Sequence, residues 1–281
     1  RRPNGDVAII DNGIFIIGPR GDTIASLPPV SSSYGTIHHA ITNSPSGGVL
    51  FVATDKRTIA DTVVTGDGIF EWDPASNVVV KRWTAFDFFD WKTQRTSQSA
   101  VSNWLHANAL NVGPRGNYIL SMRNMNQVAS VAPDFKSVEW RLGGPGATIT
   151  LPVTDLFYGQ HGAREIADGR LLVFDNGFER PSGGSFSRAM EIAIDTNART
   201  GTKKWEYRET PDNLAVRLGS VHRFSNGNTF ITFGWLSPSP IQIVEVTGAG
   251  QKVFTIAPAG TVIEKIYASE PVTSLFGERD N

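Results

Sequence analysis

The feature that most constrains this fold is a unit that occurs four times along the chain. Each unit is a histidine, a short segment, a glycine-containing turn and a strand-like apolar run. The four histidines are His39, His106, His161 and His222, and the spacings between them are 67, 55 and 61 residues. A glycine turn between two apolar runs is typical of a β-hairpin. The chain therefore contains at least four hairpins in a regular series.

A second hairpin follows each of these units. The second hairpins have the form strand, polar turn, strand; they occupy residues 67–83, 127–144, 189–209 and 241–257, and a fifth lies at 13–27. Two hairpins provide four strands, and a repeated four-stranded unit is the signature of a β-propeller blade. No helical periodicity of useful length competes with it. The sequence predicts an all-β protein, a β-propeller of four-stranded blades with five countable units.

The whole chain, residues 1–281, is predicted to form a single propeller domain. The first hairpin lacks a histidine segment, and the stretch 261–276 has strand character without a hairpin after it. Pairing of the two chain ends would complete that blade, close the ring and remove an open sheet edge. The chain starts at Arg1 rather than at Met, which indicates a processed or trimmed chain.

Composition narrows the classes of function. The formal net charge of −1 argues against a nucleic-acid partner, and no apolar run is long enough for a membrane span. Cysteine is absent, which excludes disulfides and cysteine nucleophiles and fits a secreted or periplasmic protein. The motifs GxSxG, P-loop, GxGxxG, HExxH and EF-hand are also absent. No cofactor and no metal is predicted.

The four histidines define the candidate site. The first strand of each propeller blade lies nearest the axis, so residues at equivalent places in the repeat are predicted to converge at one mouth of the channel. A structural, hydrogen-bonding role is the alternative, above all for His222, whose segment is the shortest. His38 precedes His39, and strand alternation sends the two side chains to opposite faces, so only one of them is expected in the channel.

Three polar residues near the same turns join the candidate site. Asn108 lies two residues after His106 and is predicted to share its strand face. Arg123 ends the following strand, and Gln160 directly precedes His161. An arginine beside imidazoles favours an anionic ligand over a metal cation. A surface position is the alternative for Arg123.

The insertion at residues 87–104 is longer than an ordinary blade connection and carries Trp91 and Trp104. Long loops at a channel mouth often shape a site, and aromatic side chains there would hold a planar ligand. The expected partner is therefore a small aromatic molecule. Packing of the loop onto the blades is the alternative for each aromatic side chain.

Several motifs in this order resemble the arylsulfotransferase family, in its extracellular fungal and bacterial branch. They are WLHANALNVGPRGNYILSMRN (104–124), EWRLGGPG (139–146), FYGQHGAREIADGRLLVFDNG (157–177) and GSVHRFSNGNTFITFGW (219–235), and HHAITNSPSGGVLF (38–51) is similar to the family's earlier histidine segment. The resemblance implies a propeller with a site on the channel axis. It also allows six blades, the number in the bacterial enzymes.

The activity that the resemblance implies is transfer of a sulfuryl group from one phenol to another without a nucleotide donor. Carried over to this sequence, His161 is the nucleophile, His106 and Arg123 bind the sulfuryl oxygens with Asn108 in support, and His39 acts on the phenol oxygen. Two alternatives stay open. One is a lyase or hydrolase that acts on an acidic carbohydrate with histidine as base, and the other is a non-catalytic binding propeller.

Overall fold

The computed structural model is a five-bladed β-propeller in which almost every regular element is a strand. It describes residues 1–182, 184–236, 241–257 and 265–271. Four blades are antiparallel sheets of four strands, and the fifth sheet has three strands in the described part of the chain. The prediction of an all-β propeller with five units is confirmed.

The strands follow the hairpin series of the sequence. The three-stranded sheet contains β1 (Val7–Ile10), β2 (Ile14–Ile17) and β3 (Thr23–Leu27). The next blade contains β4 (Ile37–Asn43), β5 (Val49–Ile59), β6 (Thr62–Asp73) and β7 (Val78–Thr84). It is followed by β8 (Ala107–Val112), β9 (Tyr118–Met122), β10 (Gln127–Val131) and β11 (Val138–Leu142).

The remaining blades have the same order of strands. One contains β12 (His161–Ala167), β13 (Arg170–Asp175), β14 (Arg188–Asp195) and β15 (Thr200–Arg208). The other contains β16 (Ser220–Arg223), β17 (Thr229–Phe233), β18 (Gln242–Val246) and β19 (Lys252–Ile256). The helical elements in the described ranges are single 3-10 turns at Ala85–Asp87, Arg123–Met125 and Val153–Asp155.

Packing of blade against blade explains which residues form the core. The five residues Val49–Ala53 of β5 are all fully buried, and so are nearly all side chains of β9 and β10. A middle strand of a blade has neighbouring blades on both faces, so its sequence is a continuous apolar run rather than an alternating one. The outermost strand β19 is exposed along its whole length. The hydrophobic core therefore lies between the blades, and the first strand of each blade lines the axis.

The inner strands that carry site histidines begin with an irregularity. The pairing register shifts between Ile37 and Ile41 of β4 and between Ala107 and Ala109 at the start of β8. Beside these shifts, His39 has a φ of 58° and His106 has a φ of 54°. A non-glycine residue in this left-handed region costs about 1 kcal/mol or more. Bulges of this kind bend a strand and redirect its side chains, and here they bring two imidazoles together.

The C-terminal segment lies against the inner strands of the last blade. The Ile266 amide donates to the Gly234 carbonyl at 2.8 Å, and the Gly219 amide donates to the Tyr267 carbonyl at 2.9 Å. The predicted pairing of the chain ends falls on 261–276, most of which lies outside the described residues. That pairing stays a prediction.

Candidate active site

Two imidazoles from neighbouring blades meet at the axis. The Nε2 atoms of His39 and His106 are 2.9 Å apart, and the ring centroids are 4.6 Å apart. Two ring nitrogens at this distance share one proton, so one imidazole donates and the other accepts. The side-chain amide of Asn103 is 2.9 Å from the other ring nitrogen of His106. Asn103 ends the long insertion, so the insertion reaches the site through this side chain.

Burial keeps this pair of imidazoles neutral. It lowers the pKa of His39 to about 4, with the neighbouring charges of His38 and Arg123 acting in the same direction. It lowers the pKa of His106 to about 3, helped by the charges of His39 and Arg123. At neutral pH the pair therefore holds a shared proton without a net charge.

His38 joins the same cluster. Its ring centroid is 5.1 Å from that of His39 and 6.5 Å from that of His106. Its Nε2 lies 3.0 Å from one carboxylate oxygen of Asp67, whose other oxygen accepts the amide of Ala107 at 2.7 Å. Of the two adjacent histidines, His39 lines the axial cavity and His38 does not, in line with the expectation that only one of them enters the channel. The bulge at His39 nevertheless keeps the two rings in contact. Asp67 opens a second hairpin and carried no sequence signal for this role.

The proton of His161 has a defined position. Its Nδ1 is 2.7 Å from the Asn176 side-chain oxygen and 3.0 Å from the Gly159 carbonyl. The Asn176 amide nitrogen donates to the carbonyls of Ala215 and Leu218, both at 2.8 Å, so its oxygen faces His161. Both neighbours of Nδ1 are acceptors, so Nδ1 carries the proton. The lone pair is on Nε2, which accepts the Leu218 amide in a long contact of 3.3 Å.

His161 is also the most enclosed histidine of the cluster. Its side chain is 3% exposed, and burial lowers its pKa to about 3 although the bond to Asn176 acts in the opposite direction. The charge of Arg123 lowers this pKa further. His161 is therefore a neutral imidazole with an unprotonated Nε2 at neutral pH, which is the form that acts as a nucleophile.

Arg123 supplies the positive charge of the cluster. It is 8% exposed and starts a 3-10 turn directly after β9. Its Nη1 donates to the Asn124 side chain at 2.9 Å, and its Nε has no hydrogen-bond partner among the described residues. Burial and the charge of Arg217 lower its pKa, whereas Glu179 raises it. Its charge lowers the pKa of His39, His106 and His161.

Tyr267 connects the two parts of the cluster. Its ring stacks on His39 at 5.5 Å and meets the edge of His161 at 6.2 Å. Its hydroxyl donates to the Asn108 carbonyl at 2.8 Å. Burial raises the pKa of this hydroxyl, so it stays protonated. Tyr267 belongs to the C-terminal segment, outside the histidine repeat, and no sequence pattern predicted its position.

Gln160 and Asn108 lie behind the cluster. The Gln160 side chain is fully buried, and its nitrogen donates to Ser121, Met122 and Gln127 at 3.0–3.2 Å. The Gln160 side-chain nitrogen is therefore bonded to the preceding blade, and its role in binding a substrate stays a prediction. The Asn108 amide donates to the Gln160 carbonyl at 2.7 Å, and its side-chain oxygen has no partner in the described part of the chain.

The tryptophans of the insertion are core residues. Trp104 is 0% exposed, Trp91 is 8% exposed, and the two rings meet edge to face at 5.6 Å. The Trp104 indole donates to the Gln94 carbonyl at 2.9 Å, so its polar atom is also satisfied inside the loop. The burial of both rings favours the alternative of packing onto the blades, and their contact with a substrate stays a prediction.

His222 lies apart from the other histidines. His222 is the third of the four residues of β16, close to the turn that follows this strand. His106, by contrast, lies directly before the first residue of β8. His222 therefore sits farther along its strand than His106, and the prediction of four equivalent positions is wrong for it. Its Nδ1 is 2.8 Å from Nη1 of Arg164. The short segment before its turn was the sequence signal of this difference.

Within the described ranges, no group of three or more His, Cys, Asp or Glu side chains is arranged to hold a metal ion. The same part of the chain has no helix with the length and apolar character needed to cross a membrane.

The fold and the cluster define a five-bladed propeller with imidazoles and a buried guanidinium gathered on its axis. The model of the arylsulfotransferase (ASST) family matches residues 1–259, and the chain belongs to this family. No match was found among functionally curated proteins.

Solved structures with a similar fold are other propellers at low sequence identity. A streptogramin B lyase is 13% identical, with 94% of this chain and 68% of that chain covered and a TM-score of 0.52. A virginiamycin B lyase from Staphylococcus aureus is 14% identical, with 94% and 69% covered and a TM-score of 0.49. A protein of unknown function from Bacteroides caccae is 12% identical, with 90% and 92% covered and a TM-score of 0.42. At these identities the likeness concerns the fold alone.

Proposed function

We propose that this protein transfers a sulfuryl group from an aryl sulfate to a phenolic acceptor, with His161 as the covalent carrier. The observation that carries the proposal is the fixed tautomer of His161, whose Nδ1 proton is held by Asn176 and Gly159. This arrangement leaves the Nε2 electron pair available for attack. Membership of the arylsulfotransferase family supports the class of reaction.

In the first half-reaction, Nε2 of His161 attacks the sulfur atom. The bond from sulfur to the aryl oxygen breaks, and its electron pair leaves with the phenolate. The ring becomes a sulfonated imidazolium, and its Nδ1–H donates more strongly to Asn176 and to the Gly159 carbonyl because the ring is now positive. The sulfur must take the place of the Leu218 amide, whose contact with Nε2 is long at 3.3 Å.

Arg123 stabilises the charge of the transferred group. Its Nε is buried without a partner in the described residues, so it is free to donate to a sulfuryl oxygen. His106, near Arg123 and paired with His39, provides a second contact to these oxygens. Donors that are fixed in place before the reaction contribute typically about 100- to 1000-fold each to the rate.

The His39–His106 pair donates a proton to the leaving phenolate and accepts one from the acceptor phenol. A bound sulfate ester places a negative charge beside the pair, which raises the pKa of both imidazoles from their low values. His39 then protonates the departing phenolate. In the second half-reaction it takes the proton of the acceptor phenol, the acceptor oxygen attacks sulfur, and the bond from sulfur to Nε2 breaks with its electron pair returning to His161.

The test is mass spectrometry after incubation with a chromogenic aryl sulfate in the absence of acceptor. We expect one added sulfuryl group, mapped to the peptide that contains His161, and release of that group when a phenol is added. His161→Ala should lose the label and the turnover together, with its folding checked by circular dichroism.

Near wild-type transfer by His161→Ala would show that the nucleophile is another group. Turnover by the wild type without any labelled histidine would show direct transfer between the two phenols. Inactivity on every aryl sulfate would leave the lyase or hydrolase of an acidic carbohydrate, or the binding propeller, as the better account.

A further inference from the structure

The channel contains a cavity of about 740 Å³ that borders the histidine cluster but is not part of it. His39 and Tyr267 line this cavity, whereas His106, His161 and Arg123 do not. Sites for small molecules have volumes of about 300–1,000 Å³. The cavity therefore has room for a ligand of its own.

Two polar side chains, Arg164 and His222, face this cavity together. Nη1 of Arg164 lies 2.8 Å from Nδ1 of His222. A guanidinium only donates, so Nδ1 accepts and Nε2 of the neutral His222 carries the proton. Burial and the charge of Arg164 lower the pKa of His222 to about 3, which keeps this tautomer neutral. The pair offers hydrogen-bond donors and one positive charge.

The charge of Arg164 is poorly compensated inside the protein. The carboxylate within ion-pair distance is that of Glu270, at 3.7 Å, and its side chain is 64% exposed. Nε of Arg164 is buried without a partner among the described residues. By contrast, Arg188 is bonded to Asp175 at 2.9 Å and to Glu206 at 2.8 Å. The Arg164 side chain is 23% exposed and its carboxylate partner is distant and mostly in solvent, so an anionic ligand in the cavity would pair more closely with this cation than Glu270 does.

We propose that Arg164 and His222 form a second anion site, distinct from the sulfuryl-transfer centre, that binds the carboxylate of a small aromatic acid. Arginine binds carboxylates through two parallel hydrogen bonds, which suits the free guanidinium edge. The same cavity is lined by apolar side chains, including Ile9, Ile41 and Leu110. These side chains and the Tyr267 ring would contact the aromatic body of the acid.

The probe for this site is phenylacetate, with phenylacetamide as its uncharged counterpart of similar shape. Phenylacetate has neither a sulfate ester nor a phenolic hydroxyl, so its binding is independent of sulfuryl transfer and of the function proposed above. In titration calorimetry, we expect phenylacetate to bind at least about tenfold more tightly than phenylacetamide, because the bond to a charged group is lost in the amide. It should also bind more tightly than acetate or inorganic sulfate, which lack the apolar body.

Three variants test where the anion binds. Arg164→Gln should weaken phenylacetate binding at least about tenfold, whereas Arg123→Met should retain it. Glu270→Gln changes an exposed side chain that competes for the same guanidinium, so it should tighten binding several-fold without any demand on folding.

Three results would overturn the proposal. The first is equal affinity for the acid and the amide. The second is loss of binding in Arg123→Met but not in Arg164→Gln, which would place the anion in the histidine cluster. The third is equal affinity for sulfate and phenylacetate, which would exclude an aromatic acid as the class of ligand.

Discussion

Two buried arginines of this propeller are expected to respond in opposite directions to the same substitution. Arg123 is 8% exposed, and no carboxylate lies within ion-pair distance of it among the described residues. Arg188 is 2% exposed and is bonded to the carboxylates of Asp175 and Glu206. Methionine has a similar length and no charge, so Arg→Met at each position removes the guanidinium with little change in volume.

The expected change in the free energy of unfolding depends on whether each arginine has a carboxylate partner. Arg123→Met removes a desolvated charge that has no close partner, so we expect the free energy of unfolding to rise by about 1 kcal/mol, with a midpoint of thermal unfolding about 2–4 °C higher. Arg188→Met leaves the fully buried carboxylate of Asp175 with Arg180 as its remaining ion-pair partner, at 2.7 Å. Removing one partner of a buried pair costs about 3–5 kcal/mol when the other charge is left uncompensated, so with Arg180 still in place we expect a loss near the lower end of that range, about 3 kcal/mol.

The assay is guanidinium chloride unfolding and thermal unfolding of both variants beside the wild type, together with the rate of sulfuryl transfer. Arg123→Met should be more stable than the wild type and about 100- to 1000-fold slower. A loss of stability in Arg123→Met comparable to that in Arg188→Met would refute the reasoning, because it would show that the protein itself compensates the Arg123 charge.

Two further outcomes are expected. Asn176→Ala removes the acceptor of the His161 Nδ1 proton and two hydrogen bonds that the Asn176 amide donates. The rate at which His161 acquires the sulfuryl label should fall at least about tenfold, and the free energy of unfolding should fall by about 1–3 kcal/mol. An unchanged labelling rate would contradict the argument that Asn176 fixes the tautomer. Burial lowers the pKa of His161 and His222 to about 3 in the folded protein. As pH falls below about 6.5, the histidines of the unfolded chain are protonated before those of the folded chain, which favours unfolding. Each of the two residues should therefore lower the free energy of unfolding by up to about 2 kcal/mol at pH 5. Equal denaturant midpoints at pH 8 and pH 5 would contradict it.

The fold was accessible from the sequence because its information is local. Each blade is a pair of hairpins, and each hairpin has a glycine or polar turn between two apolar runs, so the units were countable before any contact between blades was known. The positions of His39, His106 and Arg123 were accessible for the same reason, since each lies at the start or end of a predicted strand.

The remaining features of the site depend on contacts between blades, which sequence spacing does not determine. Tyr267 reaches His39 and His161 from a segment with no repeat signal. The tautomer of His161 is fixed by Asn176, whose orientation depends on carbonyls in the connection to the next blade. Aromatic residues in a long loop have the same composition whether they pack or bind, so Trp104 was not distinguishable from a ligand contact.

The buried arginines of this fold differ in how closely a carboxylate neutralises them, and the less closely paired ones are expected to lower its stability. Arg180 and Arg188 share the buried carboxylate of Asp175. Arg123, by contrast, has no carboxylate within ion-pair distance among the described residues, and Arg164 has the exposed carboxylate of Glu270 at 3.7 Å. Arg123 lies beside the histidine cluster and Arg164 on the axial cavity. A propeller brings the inner strands of all its blades to one axis, so charges placed there by separate blades must be balanced by something that enters the channel. An anion in the channel would give Arg123 a partner and would replace the long contact of Arg164 with the exposed Glu270.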